Sequence, residues 1–172
     1  MPLVIGIDPG LKGALAFYDG GAVEVVSMPV IPVRKNGKDR NELDGYELAR
    51  IINARGHIDL AAVERVGAMP RDGAVSAFAF GRSVGEVVGI LRAHFIPLDF
   101  PVPRTWRKAM GVMPSVSGDK KPSIARATAL MPVASAAWAA VRGNGDADTR
   151  SGRAEAALIA LYAWQKLNQV AA

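Results

Sequence analysis

The sequence has no cysteine among its 172 residues, which excludes disulfide bonds and thiolate metal sites. Histidine is scarce as well, because only His57 and His94 are present, and their isolation predicts structural roles. The longest apolar run covers 156–164, which is shorter than the roughly 20 residues that span a bilayer. The first residues lack the basic segment of a signal peptide and include Asp8. We therefore expect a soluble, cytoplasmic protein that has no membrane partner.

Positive charge is in excess, with 21 lysine and arginine residues against 16 acidic ones and a net charge of +5. Half of the residues are hydrophobic and 22% are charged, which is typical of a globular chain, and we take 1–172 as a single domain. The basic residues are clustered, which favours a polyanionic partner over charge that serves only solubility. The clusters are Arg34, Lys35, Lys38 and Arg40; Arg104, Arg107 and Lys108; and Lys120, Lys121 and Arg126.

Short apolar runs closed by turn residues predict buried strands, and longer amphipathic segments predict helices. Asp19-Gly20-Gly21 separates the second strand from the third, so the first three strands are expected to form an antiparallel meander. Helices and strands then alternate, which predicts an α/β fold with a mixed five-stranded sheet flanked by helices. The predicted strands are 3–7, 14–18, 23–28, 60–63 and 96–100, and the predicted helices run from the Asp44 cap to about 55, from 74 to 94, from 102 to 106, from 119 to 131 and from 153 to 167.

Three polar segments are predicted as loops. Residues 31–44 are basic and show no apolar periodicity, so we expect a mobile loop there. Residues 65–73 and 142–150 are predicted as further loops because they contain glycine and few apolar residues. In the helix predicted at 74–94, glycines recur every four residues at 81, 85 and 89. This bare stripe is expected to pack closely against the sheet.

Three carboxylates come at structurally similar places. Asp8 ends the first predicted strand, Glu64 follows the fourth, and Glu155 is placed in the first turn of the last helix. Sites of α/β sheets collect at strand ends and helix N-termini, so these acids are expected to converge. Each also has an ordinary structural alternative. Asp8 suits a turn before Pro9, Glu64 suits an ion pair with Arg65 or Arg82, and Glu155 suits the helix macrodipole.

Clustered carboxylates repel one another unless they are protonated or neutralised by a cation. No histidine or cysteine is near them in sequence, so the ligands would all be oxygen atoms, which Mg²⁺ prefers and Mn²⁺ accepts. An acidic metal site in a basic protein fits phosphodiester hydrolysis, with lysine and arginine holding the phosphate backbone.

These motifs resemble the RuvC-type Holliday junction resolvases of the RNase H-like superfamily, especially the phage-associated branch. The resemblance covers nearly the whole chain, and its ordered set of motifs is more specific than any single one. The matching segments are Ile5-Gly6-Ile7-Asp8-Pro9-Gly10, Ala62-Val63-Glu64, Phe78-Ala79-Phe80-Gly81-Arg82-Ser83 with Gly85 and Gly89, Trp106-Arg107-Lys108, Asp119-Lys120-Lys121-Pro122-Ser123, and Gly152-Arg153-Ala154-Glu155-Ala156.

The resemblance implies an RNase H-like fold, Mg²⁺, and a homodimer that nicks opposed strands of a four-way DNA junction in a bacterial or phage-infected cell. Asp8 would be the central metal ligand, with Glu64 and Glu155 as the second and third ligands. Lys120 or Lys121 would lie near the scissile phosphate. Residues 65–72 would probe the centre of the junction.

One position departs from the pattern of this family. A further acid normally precedes the Gly-Arg-Ala-Glu segment, but this chain has Ser151 there. Serine is a good N-cap, so the start of the helix would survive while an anionic ligand is lost. Asp148 or Asp146 could replace it, with Asp148 as our candidate metal ligand; otherwise the protein cuts weakly or has a disabled site.

The DNA contacts expected from charge and resemblance are Arg34, Lys35, Lys38, Arg40, Arg71, Arg82, Arg104, Trp106, Arg107, Lys108, Lys120 and Lys121. The basic loop at 34–40 is either a solvated charge run or a segment that wraps a DNA arm, and we favour the second. Trp106 is flanked by basic residues and is a candidate for stacking on DNA, whereas Trp138 and Trp164 are expected in the core.

Three functions remain open on the sequence. The first is a structure-selective DNA endonuclease. The second is a branched-DNA-binding protein with little turnover, which the serine at 151 motivates. The third is an actin-like phosphotransferase, which is disfavoured because the chain is too short for duplicated domains and has no second phosphate-binding glycine loop.

Overall fold

The fold is built on a mixed sheet of five strands, seen in a computed structural model that describes residues 1–35, 37–67, 73–113, 121–139 and 147–170. The predictions for Arg71, Lys120 and Asp146 lie outside these described residues. In chain order the strands are β1 (Val4–Asp8), β2 (Ala14–Tyr18), β3 (Val23–Ser27), β4 (Val30–Lys35), β5 (Lys38–Leu43), β6 (Leu60–Val63) and β7 (Leu98–Asp99).

Strand β1 lies at the centre of the sheet, whose order is β3-β2-β1-β6-β7. It pairs antiparallel with β2, where Ile5 lies opposite Phe17, and parallel with β6, where Ile5 lies beside Ala61. Strand β7 extends the parallel half through Ala61 and Leu98. This arrangement confirms the predicted mixed sheet with its three-strand meander.

Helices cover both faces of the sheet. They are α1 (Gly45–Asn53), α2 (Ala74–Ala93), α3 (Pro103–Ala109), α4 (Lys121–Leu130), α5 (Ala136–Ala139) and α6 (Ala147–Val170), with a 3-10 turn at Pro132–Ala134. The N-cap of α1 is Asp44, as predicted, because its side chain accepts a hydrogen bond from the amide of Glu47 at 2.9 Å. Helices α1 and α2 pack on one face, and α3, α4 and α6 pack on the other.

Helix α6 crosses β1 at very short range. A Cβ added at Gly6 would overlap the backbone of α6 at Ala156 and would lie only 2.8 Å from the Cα of Ala160. Both alanines are fully buried, so small side chains on the helix and glycine on the strand together permit the close approach. The glycine of the first motif is therefore needed for packing, and this packing brings α6 to the end of β1.

The loop predicted at 31–44 is wrong, because β4 and β5 form a separate two-stranded hairpin there. Its pairs include Val33 with Arg40 and Arg34 with Asp39, and Gly37 adopts a φ of +75° at the turn. Apart from Leu43 at the end of β5, the described residues of this hairpin lie outside the buried core. Backbone hydrogen bonds therefore define it, and the alternation of apolar and polar residues that marks a half-buried strand is missing.

The last helix begins earlier than predicted, at Ala147, so 147–150 are helical and not part of a loop. Glu155 consequently lies in the third turn, which overturns its placement at the helix start, and Ser151 lies inside the helix instead of capping it. The polar first turns are held by tertiary contacts that a local pattern does not reveal. One of these is the hydrogen bond from Arg150 Nε to the carbonyl of Trp138 at 3.2 Å.

Two other boundaries differ from the predictions. Strand β7 pairs over two residues only; Ile96, predicted inside it, is buried in the core but lies ahead of the ladder. Helix α3 continues to Ala109, beyond the predicted end at 106. Trp138 is fully buried and Trp164 packs against the same core, which confirms both as core residues.

The glycine stripe of α2 does not pack against the sheet. A Cβ added at any of the three glycines (81, 85 and 89) would meet nothing within 4 Å, while Val87 and Leu91 form the buried side. Larger aliphatic side chains bury more apolar area than glycine, so they take the side that faces the sheet. Among the described helices, α2 is the one long and apolar enough to cross a membrane by length and composition, which is weak evidence when it stands alone.

Candidate active site at the end of strand β1

Asp8 ends β1 in a space that neighbouring glycines leave open. A Cβ at Gly13 would lie 2.9 Å from the Asp8 Cγ, and a Cβ at Gly152 of α6 would lie 2.9 Å from its Oδ2. The amide of Gly10 is 3.3 Å from the Asp8 Oδ1, to which it donates a hydrogen bond. Asp8 therefore occupies a turn, which is the ordinary structural role expected for it. Its carboxylate also points to the first turns of α6.

Helix α6 contributes three side chains beside Asp8. Asp148, Ser151 and Glu155 follow one another at intervals of three and four residues, which places them on one side of a helix. Together with Asp8 they line a cavity of about 270 Å³. The structure therefore brings together three of the predicted metal ligands, including Asp148, which was the candidate for the missing acid.

The lysine Lys12 also lines this cavity. Its Nζ lies 3.3 Å from the Asp148 Oδ2, and both side chains are more than half exposed. An exposed pair of this kind contributes little to stability, so it holds Asp148 only loosely. Lys12 was not among the site residues predicted from the sequence, although its position between the Asp8 turn and Gly13 is a usable signal.

The carboxylate of Glu155 is buried, with 8% of the residue exposed. Its Oε1 accepts hydrogen bonds from the guanidinium of Arg107, from Ser123 Oγ at 2.8 Å and from Ser151 Oγ at 3.4 Å. Arg107 also forms the ion pair that compensates the charge of Glu155. A buried carboxylate would be costly without such partners. The macrodipole alternative for Glu155 is wrong, since the residue is not in the first turn.

Glu64 follows β6 and is oriented by a tryptophan. Its backbone amide donates to the carbonyl of Ile7 at 2.9 Å, which places Glu64 next to the end of β1. The indole Nε1 of Trp106 donates to the Glu64 Oε1, also at 2.9 Å. Arg82, one alternative partner of Glu64, instead pairs with Glu42 at 2.6 Å.

Trp106 is fully buried, so its predicted stacking on DNA is wrong. The flanking charges suggested an exposed residue, but α3 turns this side chain into the core. Arg107, the next residue, lies over the Trp106 ring with its Cζ 5.1 Å from the ring centroid. Consecutive residues of α3 therefore each hold one acid: Trp106 holds Glu64, and Arg107 holds Glu155.

The acids do not yet converge on one point. Within the residues that the structure describes, no group of three acidic or histidine side chains is placed to hold one metal ion. Glu64 is also not among the residues that line the cavity beside Asp8. Two of the predicted ligands are instead engaged by α3, because Glu64 accepts from Trp106 and Glu155 accepts from Arg107.

A second cavity, of about 690 Å³, lies between the β4–β5 hairpin and the first turns of α2. Glu42 is in this cavity, and hydrogen bonds from Lys35 and then Arg82 lower its pKa. Phe78 also lines the cavity and is 76% exposed. The predicted DNA contacts that the cavity brings together are Lys35, Lys38, Arg40 and Arg82.

The remaining predicted contacts lie elsewhere. Arg34 is exposed and pairs across the hairpin with Asp39, so it faces away from the side that carries Lys35 and Arg40. Arg104 and Lys108 are exposed on α3, and Lys121 is exposed at the start of α4. Their contacts with DNA remain predictions.

The sequence has no match among protein-family models and none among curated proteins. Its fold is similar to solved structures. The Thermus thermophilus RuvC structure matches with a TM-score of 0.59 and 14% identity over 98% of this chain and 96% of that one. T. thermophilus RuvC in complex with Holliday junction substrate matches with a TM-score of 0.57 and 16% identity, over 97% and 96%.

The yeast mitochondrial Holliday junction resolvase matches with a TM-score of 0.52 and 13% identity, over 96% of this chain and 82% of the resolvase. At these identities the likeness is one of fold, and it extends over nearly the full chain. The phage-associated branch is not distinguished by these neighbours and remains a prediction. The mixed sheet, its flanking helices and the three structural neighbours together establish that this chain has a RuvC-like fold of the RNase H-like class.

Proposed function

We propose that this chain is a metal-dependent, structure-selective endonuclease that resolves four-way DNA junctions by phosphodiester hydrolysis. The observation that carries the proposal is the shared cavity of Asp8, Asp148 and Glu155 at the end of the central strand. It occurs in a fold whose structural neighbours include a yeast mitochondrial Holliday junction resolvase and a RuvC in complex with Holliday junction substrate.

The donor set of the cavity fits Mg²⁺, with Mn²⁺ as a substitute, because its acidic side chains and the Ser151 hydroxyl offer only oxygen atoms. We assign Asp8 as the central ligand, Glu155 and Asp148 as ligands on α6, and Glu64, whose carboxylate Trp106 orients, as a further ligand. A divalent ion bound there would activate a water and stabilise the leaving oxygen.

The protein supplies the rest of the chemistry through position and charge. Asp8 is fixed by the glycines around it, so its carboxylate is presented to substrate at the strand end. Lys121 and the exposed basic residues of α3 would bind phosphates on either side of the cleaved bond. The basic residues of the β4–β5 hairpin include Lys38 and Arg40, which are exposed in the second cavity. They would bind a DNA arm at a distance from the cleaved bond.

We further propose that the functional unit is a homodimer that pairs through α2. This helix exposes a stripe of glycines at 81, 85 and 89, and Phe78 is exposed at one end of the helix. Glycines at this spacing permit the close approach of a second helix. Two active sites on one dimer would also suit the two strands that must be cut in a four-way junction.

A branched-DNA-binding protein with little turnover is the second candidate function. Two observations favour it: Ser151 offers no negative charge at the position of the usual acid, and the carboxylate of Glu155 is already paired with Arg107. Such a protein would bind junctions tightly in EDTA or Ca²⁺ and would fail to cut them in Mg²⁺ or Mn²⁺.

The experiment that separates the two candidates is cleavage of a labelled four-way junction by the wild type and by Ser151→Asp, in Mg²⁺ and in Mn²⁺. Symmetric cuts by the wild type support the nuclease and leave Asp148 or Asp146 as the candidate fourth ligand. Cuts by Ser151→Asp alone indicate a resolvase fold that lacks its fourth ligand. Binding without cleavage by either protein favours the binding protein, and absence of junction binding refutes both.

A further inference from the structure

We infer that Arg107 is an exchangeable counter-ion of the active site, which neutralises Glu155 in the metal-free protein and is displaced when a divalent cation binds. The inference rests on the proposed function for the identity of the cation site. It goes further because it assigns to one arginine the control of metal affinity.

The geometry around Glu155 carries the inference. One oxygen, Oε1, accepts from the guanidinium of Arg107, from Ser123 Oγ at 2.8 Å and from Ser151 Oγ at 3.4 Å. This oxygen belongs to a carboxylate in the cavity that Asp8 and Asp148 also line. A metal ion that used the Oε1 would have to replace the arginine as the source of positive charge.

The two members of the pair differ in their freedom to move. The Glu155 side chain is 10% exposed, whereas the Arg107 side chain is 36% exposed. Glu155 is held by two serine hydroxyls and by the packing of α6 on the sheet. Arg107 reaches in from α3, and its guanidinium lies over the ring of Trp106. The arginine can therefore withdraw towards solvent while the glutamate stays in place.

The charge of the site explains why such a counter-ion is needed. A buried carboxylate that lost the charged partner which the described residues give it would destabilise the fold, so the metal-free protein needs a cation at Glu155. Ser151, which lies beside Glu155, is uncharged. The single negative charge of Glu155 can therefore be neutralised by one arginine. A displaced guanidinium would remain next to the cavity, where it would bind a substrate phosphate well. Metal binding and phosphate binding would then favour each other.

The direct test is the affinity for Mn²⁺ without DNA, measured by calorimetry on the wild type, Arg107→Gln and Lys108→Gln. Lys108 is the matched control, because it is exposed on the same helix and removes the same unit charge. We expect Arg107→Gln to bind Mn²⁺ on the order of tenfold more tightly, since one charge-assisted hydrogen bond need no longer be broken. Lys108→Gln should bind as the wild type does, and Glu155→Gln should bind more weakly.

A second readout follows the guanidinium itself. In NMR spectra of the wild type, the Arg107 Nε–H signal should shift on addition of Mg²⁺. The signal of Arg153 should not, because its guanidinium is anchored to the carbonyl of Val25 and to Ser27 Oγ on the other side of α6. If Arg107→Gln proves poorly folded, Arg107→Lys tests the same point. This variant keeps the positive charge but lacks the planar guanidinium that donates to Glu155. It should therefore bind Mn²⁺ more tightly than the wild type does.

The inference is overturned if Arg107→Gln and Arg107→Lys bind Mn²⁺ no more tightly than Lys108→Gln, or if the Arg107 signal ignores Mg²⁺. Arg107 would then be a fixed partner that orients Glu155. These readouts contain no DNA. A failure to cut junctions would therefore count against the proposed function while leaving an observed change in Mn²⁺ affinity intact.

Discussion

The indole Nε1 of Trp106 donates a 2.9 Å hydrogen bond to the carboxylate of Glu64, which joins the middle of α3 to the end of β6. Trp106 is fully buried, so this bond fixes the orientation of Glu64 from inside the protein. A hydrogen-bond donor behind a metal ligand holds that ligand in the orientation that the metal ion needs, and its loss lowers metal affinity or activity. Trp106 is proposed to act on Glu64 in this way.

Trp106→Phe should therefore lower junction cleavage by roughly 10–100-fold while reducing stability by only about 1 kcal/mol. Phenylalanine keeps most of the buried ring but has no N–H to donate. The matched control is Trp138→Phe, which removes a 2.9 Å bond from Nε1 to Thr128 Oγ1 in the same core but away from the acids. Single-turnover cleavage and thermal unfolding of both variants would show whether the loss is specific; equal losses in cleavage would contradict it.

Asp8→Asn should abolish cleavage and leave junction binding intact or stronger. The amide removes a negative charge that repels phosphate, and it also removes the proposed central ligand. Cleavage and gel-shift titrations in Ca²⁺ measure the two effects separately. Asp19→Asn is the control, because Asp19 lies in the turn between β2 and β3, where it accepts from the amides of Gly21 and Ala22. Loss of binding by Asp8→Asn would make Asp8 a structural residue.

Gly6→Ala should destabilise the protein by about 1–3 kcal/mol, the usual cost of overpacking. The added methyl would lie 2.8 Å from the Ala160 Cα, and the neighbouring backbone of α6 cannot yield as a flexible side chain would. Gly67→Ala is the control, because nothing lies within 4 Å of a Cβ there. Urea unfolding measures both variants. A Gly6→Ala protein as stable as the control would mean that α6 can shift away from β1 at little cost.

Gly85→Glu should convert the proposed dimer to a monomer, because it places a charge and a long side chain in the centre of the glycine stripe. Ser76→Glu adds the same group at an exposed position on the opposite side of α2 and should leave the dimer intact. Light scattering after gel filtration gives the mass of each variant. A wild type that is monomeric at every concentration would remove the basis for this prediction.

Stability should fall in acid partly through the ion pair of Glu24 and Arg55. Hydrogen bonds from Arg55 lower the pKa of Glu24 from its ordinary value of 4.5. Because the folded-state pKa is depressed, this stabilisation is present above about pH 4.5 and is lost as the pH falls through the folded-state value. Arg55 also stacks on Phe17, with 4.3 Å from its Cζ to the ring centroid.

The measurement is the free energy of unfolding at neutral pH and at a pH well below that of the unfolded glutamate, for the wild type and Arg55→Gln. The variant should be less stable at neutral pH and should lose less on acidification. Arg104→Gln, an exposed residue of α3, controls for the loss of charge. Parallel acid dependence in the wild type and Arg55→Gln would show that the pair does not contribute.

The sequence by itself determined the features that depend on local pattern. The apolar run and the Asp8 turn place β1 correctly, the Asp19-Gly20-Gly21 turn predicts the β2–β3 hairpin, and Asp44 caps α1 where expected. Each rests on residues within a few positions of one another. The same local motifs supported the resemblance that the structural neighbours confirm at the level of the fold.

Only the tertiary structure decided how the acids are held. Trp106 lies 42 residues from Glu64, and Arg107 lies 48 residues from Glu155. No local pattern specifies a contact over such a separation. The early start of α6 is also tertiary, because polar residues such as Arg150 satisfy their donors on a neighbouring helix. Because α6 begins at Ala147, Glu155 lies in its third turn and not in its first. Trp106 was predicted to be exposed because its neighbours are charged, but the packing of α3 buries it.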